Sequence, residues 1–231
     1  LIKIHKDPNI RIIDGRWYID DKKKGQAEFK KNHIPGAIFF NLELLSNKEI
    51  KIPHMLPRSE QFKKFLYQNN ISKNNSIIIY DQTGFFCSSR VWFTFKYFGF
   101  DNTRILNGGF NLWKINKFKT TNIKQSKKAI KNEINISANK EMVIDKKSLE
   151  KKMLNKECLI LDARSNERFL GITNEPRKGL NNGNIPGSIN IHYKILTNKK
   201  GEFVNEQKLK KILKNNNVKK KDEIICTCGS G

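Results

Sequence analysis

The sequence predicts an α/β protein built from two domains in tandem, each a mostly parallel sheet flanked by helices, with the second domain incomplete. The first observation behind this is a repeat. Ile10-Arg11-Ile12-Ile13-Asp14 has a counterpart in Cys158-Leu159-Ile160-Leu161-Asp162, each a short apolar run closed by Asp. His33-Ile34-Pro35-Gly36-Ala37 is matched by Asn184-Ile185-Pro186-Gly187-Ser188, and Ser76-to-Asp81 by Glu223-to-Cys228. The second observation is spacing: Asp14 to Asp81 is 67 positions and Asp162 to Cys228 is 66. Three landmarks in one order at nearly equal distances mark a tandem duplication. The third is that strand-like runs alternate with helix-like ones, the pattern of a parallel sheet with crossover helices.

Each element follows from its residues. The apolar runs ending at Asp14 and Asp162 read as buried strands. In each Ile-Pro-Gly segment Pro fixes φ and Gly permits a tight turn, so it feeds the strand that follows. Ser59 to Gln68 places Phe62, Phe65 and Leu66 at helical spacing, and Asn205 to Leu213 is the equivalent stretch. Ser88 to Tyr97, rich in aromatics, reads as a largely buried helix. Residues 119–139 are rich in Lys, Asn and Ser without periodicity. The organisation expected is therefore a first domain over 1–120, a linker over 121–139 and a second domain over 140–231. The first copy continues past Asp81 to Trp113, whereas the second stops at Gly231. Some 32 residues of the second domain are therefore expected to be missing, and the 231-residue piece is expected to be poorly active and unstable by itself.

Composition narrows the function classes. With 37% hydrophobic residues a packed core is available and intrinsic disorder is excluded. The net charge of +23 comes from Lys spread along the whole chain. No zinc-finger spacing, RNA-binding aromatic motif or basic heptad helix accompanies it, so a solvated Lys-rich surface is favoured over nucleic-acid binding. A positive field would still draw in a small anion. No apolar run approaches the roughly 20 residues that span a bilayer, no signal peptide is visible, and no membrane partner is expected.

The four cysteines, Cys87, Cys158, Cys226 and Cys228, form no Cys-x-x-Cys pair and have no His at zinc-ligand spacing. No metal or cofactor is expected. We expect Cys226 and Cys228 on opposite faces of their strand, hence no disulfide between them and a reducing, cytoplasmic location. Cys228-Gly229-Ser230-Gly231 follows an apolar strand directly. A cysteine at a strand end, in a Gly-rich loop turning into a helix, meets backbone N–H groups that stabilise a thiolate. The same tetrapeptide also fits a structural Cys before an ordinary Gly-Ser turn, and both readings stay open on these residues alone.

Resemblance goes further. Asp14-Gly15-Arg16-Trp17-Tyr18, His33-to-Phe40, His54-Met55-Leu56-Pro57 and Arg90-Val91-Trp92 resemble the inert first domain of the 3-mercaptopyruvate sulfurtransferases, of the two-domain rhodanese superfamily. Asp162-Ala163-Arg164, Arg168-Phe169, Glu175-Pro176-Arg177, Ile185-Pro186-Gly187 and Cys228-Gly229-Ser230-Gly231 are similar to their catalytic domain. Almost the whole chain is covered, and both domains are then rhodanese-like.

That resemblance implies a sulfur carrier at Cys228, with Gly229 and Gly231 shaping its loop. It implies carboxylate binding by Arg168 and Arg177, a proton relay through Ser230 and His54, and a silent first copy in which Asp81 stands where Cys228 would. The substrate implied is a small 2-oxo acid with a terminal thiol, and the acceptor is a thiol such as a thioredoxin-type protein, or cyanide. One departure concerns the relay. Where the family has Asp after two aromatics, this chain has Asn41, which could orient His54 but supplies no charge. The sister thiosulfate sulfurtransferases carry basic residues after their Cys, so Gly229 and Ser230 favour mercaptopyruvate. Three alternatives stand beside this reading. They are thiosulfate sulfur transfer, a non-catalytic rhodanese-like binding module, and a Cys-x5-Arg phosphatase or arsenate reductase whose Arg would fall at position 234.

Overall fold

The computed structural model describes residues 1–50, 52–123, 134–176, 179–219 and 223–229. It divides into two compact units. The first is Leu1–Met142 with Lys200–Glu202, and the second is Val143–Lys199 with Phe203–Gly231.

The first unit is a four-stranded parallel sheet in the order β2-β1-β3-β4, formed by β1 Ile10–Asp14, β2 Ala37–Phe39, β3 Ser76–Tyr80 and β4 Thr103–Ile105. Its helices are α1 Lys24–Lys31, α2 Ser59–Gln68, α3 Ser88–Tyr97 and α4 Gly109–Ile115. Side-chain alternation along the strands sorts the apolar residues onto two faces. Ile13, Ile77 and Ile79 join Phe62, Phe65 and Leu66 of α2 and Val91 and Phe95 of α3 in one buried cluster. Ile12, Ile78 and Tyr80 join Phe29 of α1 and Phe110 and Trp113 of α4 in another. Both faces are covered, which is why these strands read as unbroken apolar runs. Ile134 and Ile136 are buried in the larger cluster.

The second unit repeats the plan with three parallel strands in the order β6-β5-β7: β5 Leu159–Asp162, β6 Ile189–Asn190 and β7 Ile224–Thr227. Its helices are α5 Lys146–Leu154, α6 Asn166–Phe169 and α7 Glu206–Asn215. Asp145 and Asn205 cap α5 and α7, accepting from the Ser148 and Lys208 amides at 2.7 and 2.9 Å. Ile160 and Ile191 are its buried apolar residues among those described, whereas Leu154 and Ile172 are exposed.

One expectation is overturned in β7. Residues two apart on a strand share a face, and the burial alternates accordingly: Cys226 and Cys228 are both exposed, not on opposite sides. All four cysteines are free thiols. Among the described residues no helix is long and apolar enough to cross a membrane.

Candidate active site

The register of the two sheets brings the duplicated landmarks into equivalent places. Asp14 pairs with Tyr80 across β1 and β3, and Asp162 pairs with Thr227 across β5 and β7. The next residue in each case, Asp81 or Cys228, therefore sits one step beyond the strand's carboxyl end. The cross-strand bonds repeat too, with the Gly15 amide donating to Tyr80 O at 2.8 Å and the Ala163 amide to Thr227 O at 2.9 Å. The C-terminal edge of a parallel sheet is where α/β folds place their ligands.

Below each of these positions lies the same bracket. Arg16 Nε and NH2 donate to Asp14 Oδ2 at 3.0 and 2.7 Å, and the guanidinium also donates to Asn32 O at 2.7 Å. Arg164 repeats it on Asp162 at 3.0 and 2.6 Å, with Gly183 O at 2.7 Å. Asp14 and Asp162 are almost fully buried, so each carboxylate requires its arginine. The two pairs pin the strand ends that carry Asp81 and Cys228.

In the first unit the loop after β3 is described in full. The Asp81 carboxylate is buried, with Oδ1 accepting from the Thr83 and Gly84 amides at 2.9 and 2.5 Å and Oδ2 from the Cys87 and Ser88 amides at 2.7 and 2.9 Å. Four backbone N–H groups from the loop and the start of α3 close around one anion. Cys87 lies in the wall of this cradle. Burial pushes its thiol far up, and the nearby Asp81 charge adds to that. It is not a poised nucleophile.

In the second unit Cys228 follows β7 directly and is exposed. Ser230, Gly231 and Arg177 lie outside the described residues. Arg168, on α6, comes to the loop: its guanidinium NH2 packs where a side chain on Gly229 would have to stand, so any Cβ there would collide with it. Arg168 is held by Glu175, with Nε and NH2 donating to the two carboxylate oxygens at 3.1 and 2.5 Å, and Arg164 NH1 donates to Oε1 at 2.8 Å. Glu175 was quoted in the sequence only as part of a motif, and its work as the clamp shared by Arg164 and Arg168 was missed. Its position between two motif arginines was the signal available.

The hydrogen bonds from Arg168, then those from Arg164, hold the Glu175 carboxyl below the usual glutamate range despite its burial. A depressed acid stabilises the fold above its unfolded value, about 4.3, and that contribution is lost as pH falls through the folded value. Acidification from neutral pH to below that range is expected to lower the hydrogen-exchange protection factors of the β5 amides, that is, exchange measured relative to the intrinsic rate at each pH. In Glu175→Gln the protection should be lower by about 2 kcal/mol at neutral pH and should no longer respond to acid in this way. Equal acid sensitivity in the variant would dismiss the clamp.

His54 lies in the first unit, buried, with φ of 61°. Its Nε2 is 2.8 Å from Glu43 Oε1, which also accepts from Trp17 Nε1 at 2.9 Å. The Trp17 ring meets the imidazole edge-on at a centroid distance of 5.0 Å, and Arg90 NH2 donates to the His54 carbonyl. Asn41 does other work, its Oδ1 accepting from the Leu44 amide at 3.2 Å in the turn after β2. Among the described residues no group of His, Cys, Asp and Glu could hold a metal ion.

Known proteins share this chain's family and fold. The rhodanese-like domain family matches residues 1–116 and 145–231. A probable 3-mercaptopyruvate sulfurtransferase of Schizosaccharomyces pombe is 34% identical over 227 residues, 95% of this chain and 76% of that one. The 3-mercaptopyruvate sulfurtransferase of Escherichia coli K12 is 32% identical over 228 residues, 97% of this chain and 80% of its own. The crystal structure of SseA from Escherichia coli, a 3-mercaptopyruvate sulfotransferase, matches with a TM-score of 0.89 at 29% identity, covering 99% of this chain and 86% of that chain.

Proposed function

This chain belongs to the rhodanese family, and we propose that it is a 3-mercaptopyruvate sulfurtransferase with Cys228 as the sulfur carrier. The observation that carries this reading is the equivalence of Cys228 with Asp81. The first copy of the fold puts a carboxylate there and surrounds it with amides, so a thiolate at the same place in the second would meet the same need.

The Cys228 thiolate attacks the sulfur of 3-mercaptopyruvate. The new S–S bond forms as the C–S bond breaks, and the electron pair leaves with the three-carbon fragment as the enolate of pyruvate, which takes up a proton. The persulfide then gives its outer sulfur to a thiol, for instance of a thioredoxin-type protein, or to cyanide, and the Cys228 thiolate is restored. Arg168, beside Gly229, supplies a planar cation suited to the substrate carboxylate. Arg177 is proposed as the second cation, and Ser230 with His54 as the proton relay. Four free thiols and the reductive chemistry of the acceptor fit the cytoplasm.

The test is a comparison of donors. Turnover of 3-mercaptopyruvate should exceed that of thiosulfate, and Arg168→Ala should raise the KM for mercaptopyruvate about tenfold or more while moving that for thiosulfate less, because only the former carries a carboxylate. Thiosulfate as the better donor by about tenfold would overturn the donor assigned here.

A further inference from the structure

Arg168 reaches the Cys228 loop at Gly229, but the cluster it belongs to carries no net charge. Arg164 and Arg168 are matched by the Asp162 and Glu175 carboxylates that accept their hydrogen bonds. The pull on an arriving anion therefore depends on what stands beside them. His192 does, and it is the one histidine of the second unit, since His5, His33 and His54 belong to the first. Strand register places it. Asn190 pairs with Asp162, and Asp162 with Thr227, so Ile191 and Cys228 leave the carboxyl ends of β6 and β7 at one level, with β5 between them. His192 follows at the next step, two strand spacings or about 10 Å from the exit of β7. The exit of β6 is pinned. Asn190 Nδ2 donates to Asp162 O at 3.0 Å and to Arg164 O at 2.8 Å, and the Ile191 and Tyr193 amides donate to Asp162 O and Ala163 O at 2.9 and 3.1 Å. Glu167 and Arg168 of α6 and Lys194 of its own turn are the charges the ring feels, and Tyr193 meets it edge-on at a centroid distance of 5.0 Å.

We propose that His192 belongs to the anion site that Arg168 brings to the Cys228 loop, and that its charge selects the sulfur donor: the neutral ring suits a monocarboxylate such as 3-mercaptopyruvate, and the protonated ring draws a dianion such as thiosulfate. This rests on the sulfur-transfer reading above. Partial burial first, then Lys194, outweigh the pull of Glu167 and hold the imidazole below its ordinary range, with Arg168 adding to the effect. Glu167 helps little because its carboxylate is already held by its own amide and the Ser165 hydroxyl at the start of α6. The ring is therefore neutral at neutral pH and takes its proton only as pH falls through a value below about 6.5. That proton adds a full charge where the two guanidinium groups and two carboxylates cancel, and a dianion gains about twice as much from it as a monoanion.

The ratio of kcat/KM for thiosulfate to kcat/KM for 3-mercaptopyruvate tests this as a function of pH, because ionisation of Cys228 affects both donors alike and cancels. In wild type the ratio should rise about threefold to tenfold between roughly pH 7.5 and 5.5, carried in KM rather than kcat. His192→Asn should hold it flat at the neutral-pH value, and His192→Lys should keep it high throughout. A ratio that climbs in His192→Asn as in wild type overturns the proposal. So does an equal loss for both donors at every pH, which makes His192 merely structural. A second measurement needs neither variant nor turnover. Nitrogen-15 spectra of the His192 ring in the full chain, titrated with and without sulfate, should show its protonation moved up by about half a unit or more when the dianion is present, and by less with pyruvate. A titration indifferent to sulfate overturns the proposal outright. A ring that responds to sulfate in a protein that turns over neither donor upholds the anion site and removes the sulfur-transfer reading instead.

Discussion

Replacing Cys228 with serine is expected to reduce pyruvate release from 3-mercaptopyruvate by about a thousandfold or more. The serine oxygen can neither form nor store a persulfide, and no neighbouring thiol can take over. Cys226 lies inside β7, where local desolvation of its sulfur, with Cys228 two residues on adding to it, pushes its thiol up although the residue as a whole is exposed. Cys87 is buried against the Asp81 carboxylate and pushed up further. A thiol whose anion is disfavoured is a poor nucleophile at neutral pH. Cys226→Ser and Cys87→Ala should therefore keep activity within about twofold, and mass spectrometry after exposure to donor should find the extra sulfur atom on the peptide carrying Cys228. Because Cys228 is exposed and lies past the end of β7, its replacement should leave the melting behaviour unchanged. Pyruvate release that survives in Cys228→Ser would eliminate the proposed nucleophile.

The frame of the molecule could be read from the sequence because local signals and tertiary context agree there. The run Ile10–Asp14 is a strand over those residues, and Phe62, Phe65 and Leu66 are the buried stripe of α2. The tandem landmarks land in matching register because the same short apolar run, closed by Asp, pairs with the same partner in each sheet. What escaped depends on where loops travel. Glu43 and His54 are eleven positions apart, and no spacing rule links them. Glu175 meets Arg164 and Arg168 across a loop for the same reason. Composition misleads as well as informs: the Lys- and Asn-rich stretch that suggests a linker through Asn139 also holds Ile134 and Ile136, 7% and 8% exposed in the first unit's core. Asp81 was read as the mark of a silent copy. That it is the ligand of its own loop follows only from the path of residues 83–88 around it.

Asp81→Ala is expected to cost the first unit about 3–5 kcal/mol. The substitution removes one carboxylate but strands several donors. The amides of Gly84, Cys87 and Ser88 are buried, and each loses its acceptor, while the Thr83 amide is only part-buried and can turn to water. Asp81→Asn is the sharper comparison, since it preserves shape. Its oxygen can still serve one pair of amides, but its NH2 must then face the other pair donor to donor, so a loss of about 1–3 kcal/mol is expected even though no volume changes. Urea unfolding followed by tryptophan fluorescence reads the effect in the right place, because all three tryptophans, Trp17, Trp92 and Trp113, belong to the first unit. If both variants unfold within about 0.5 kcal/mol of wild type, the loop does not depend on the charge it encloses. A loop of the same kind after β7 would then have no physical reason to favour a thiolate at Cys228. A steep loss in both shows that this curl of backbone in the first unit depends on the carboxylate it encloses, the physical precedent for the thiolate proposed at Cys228.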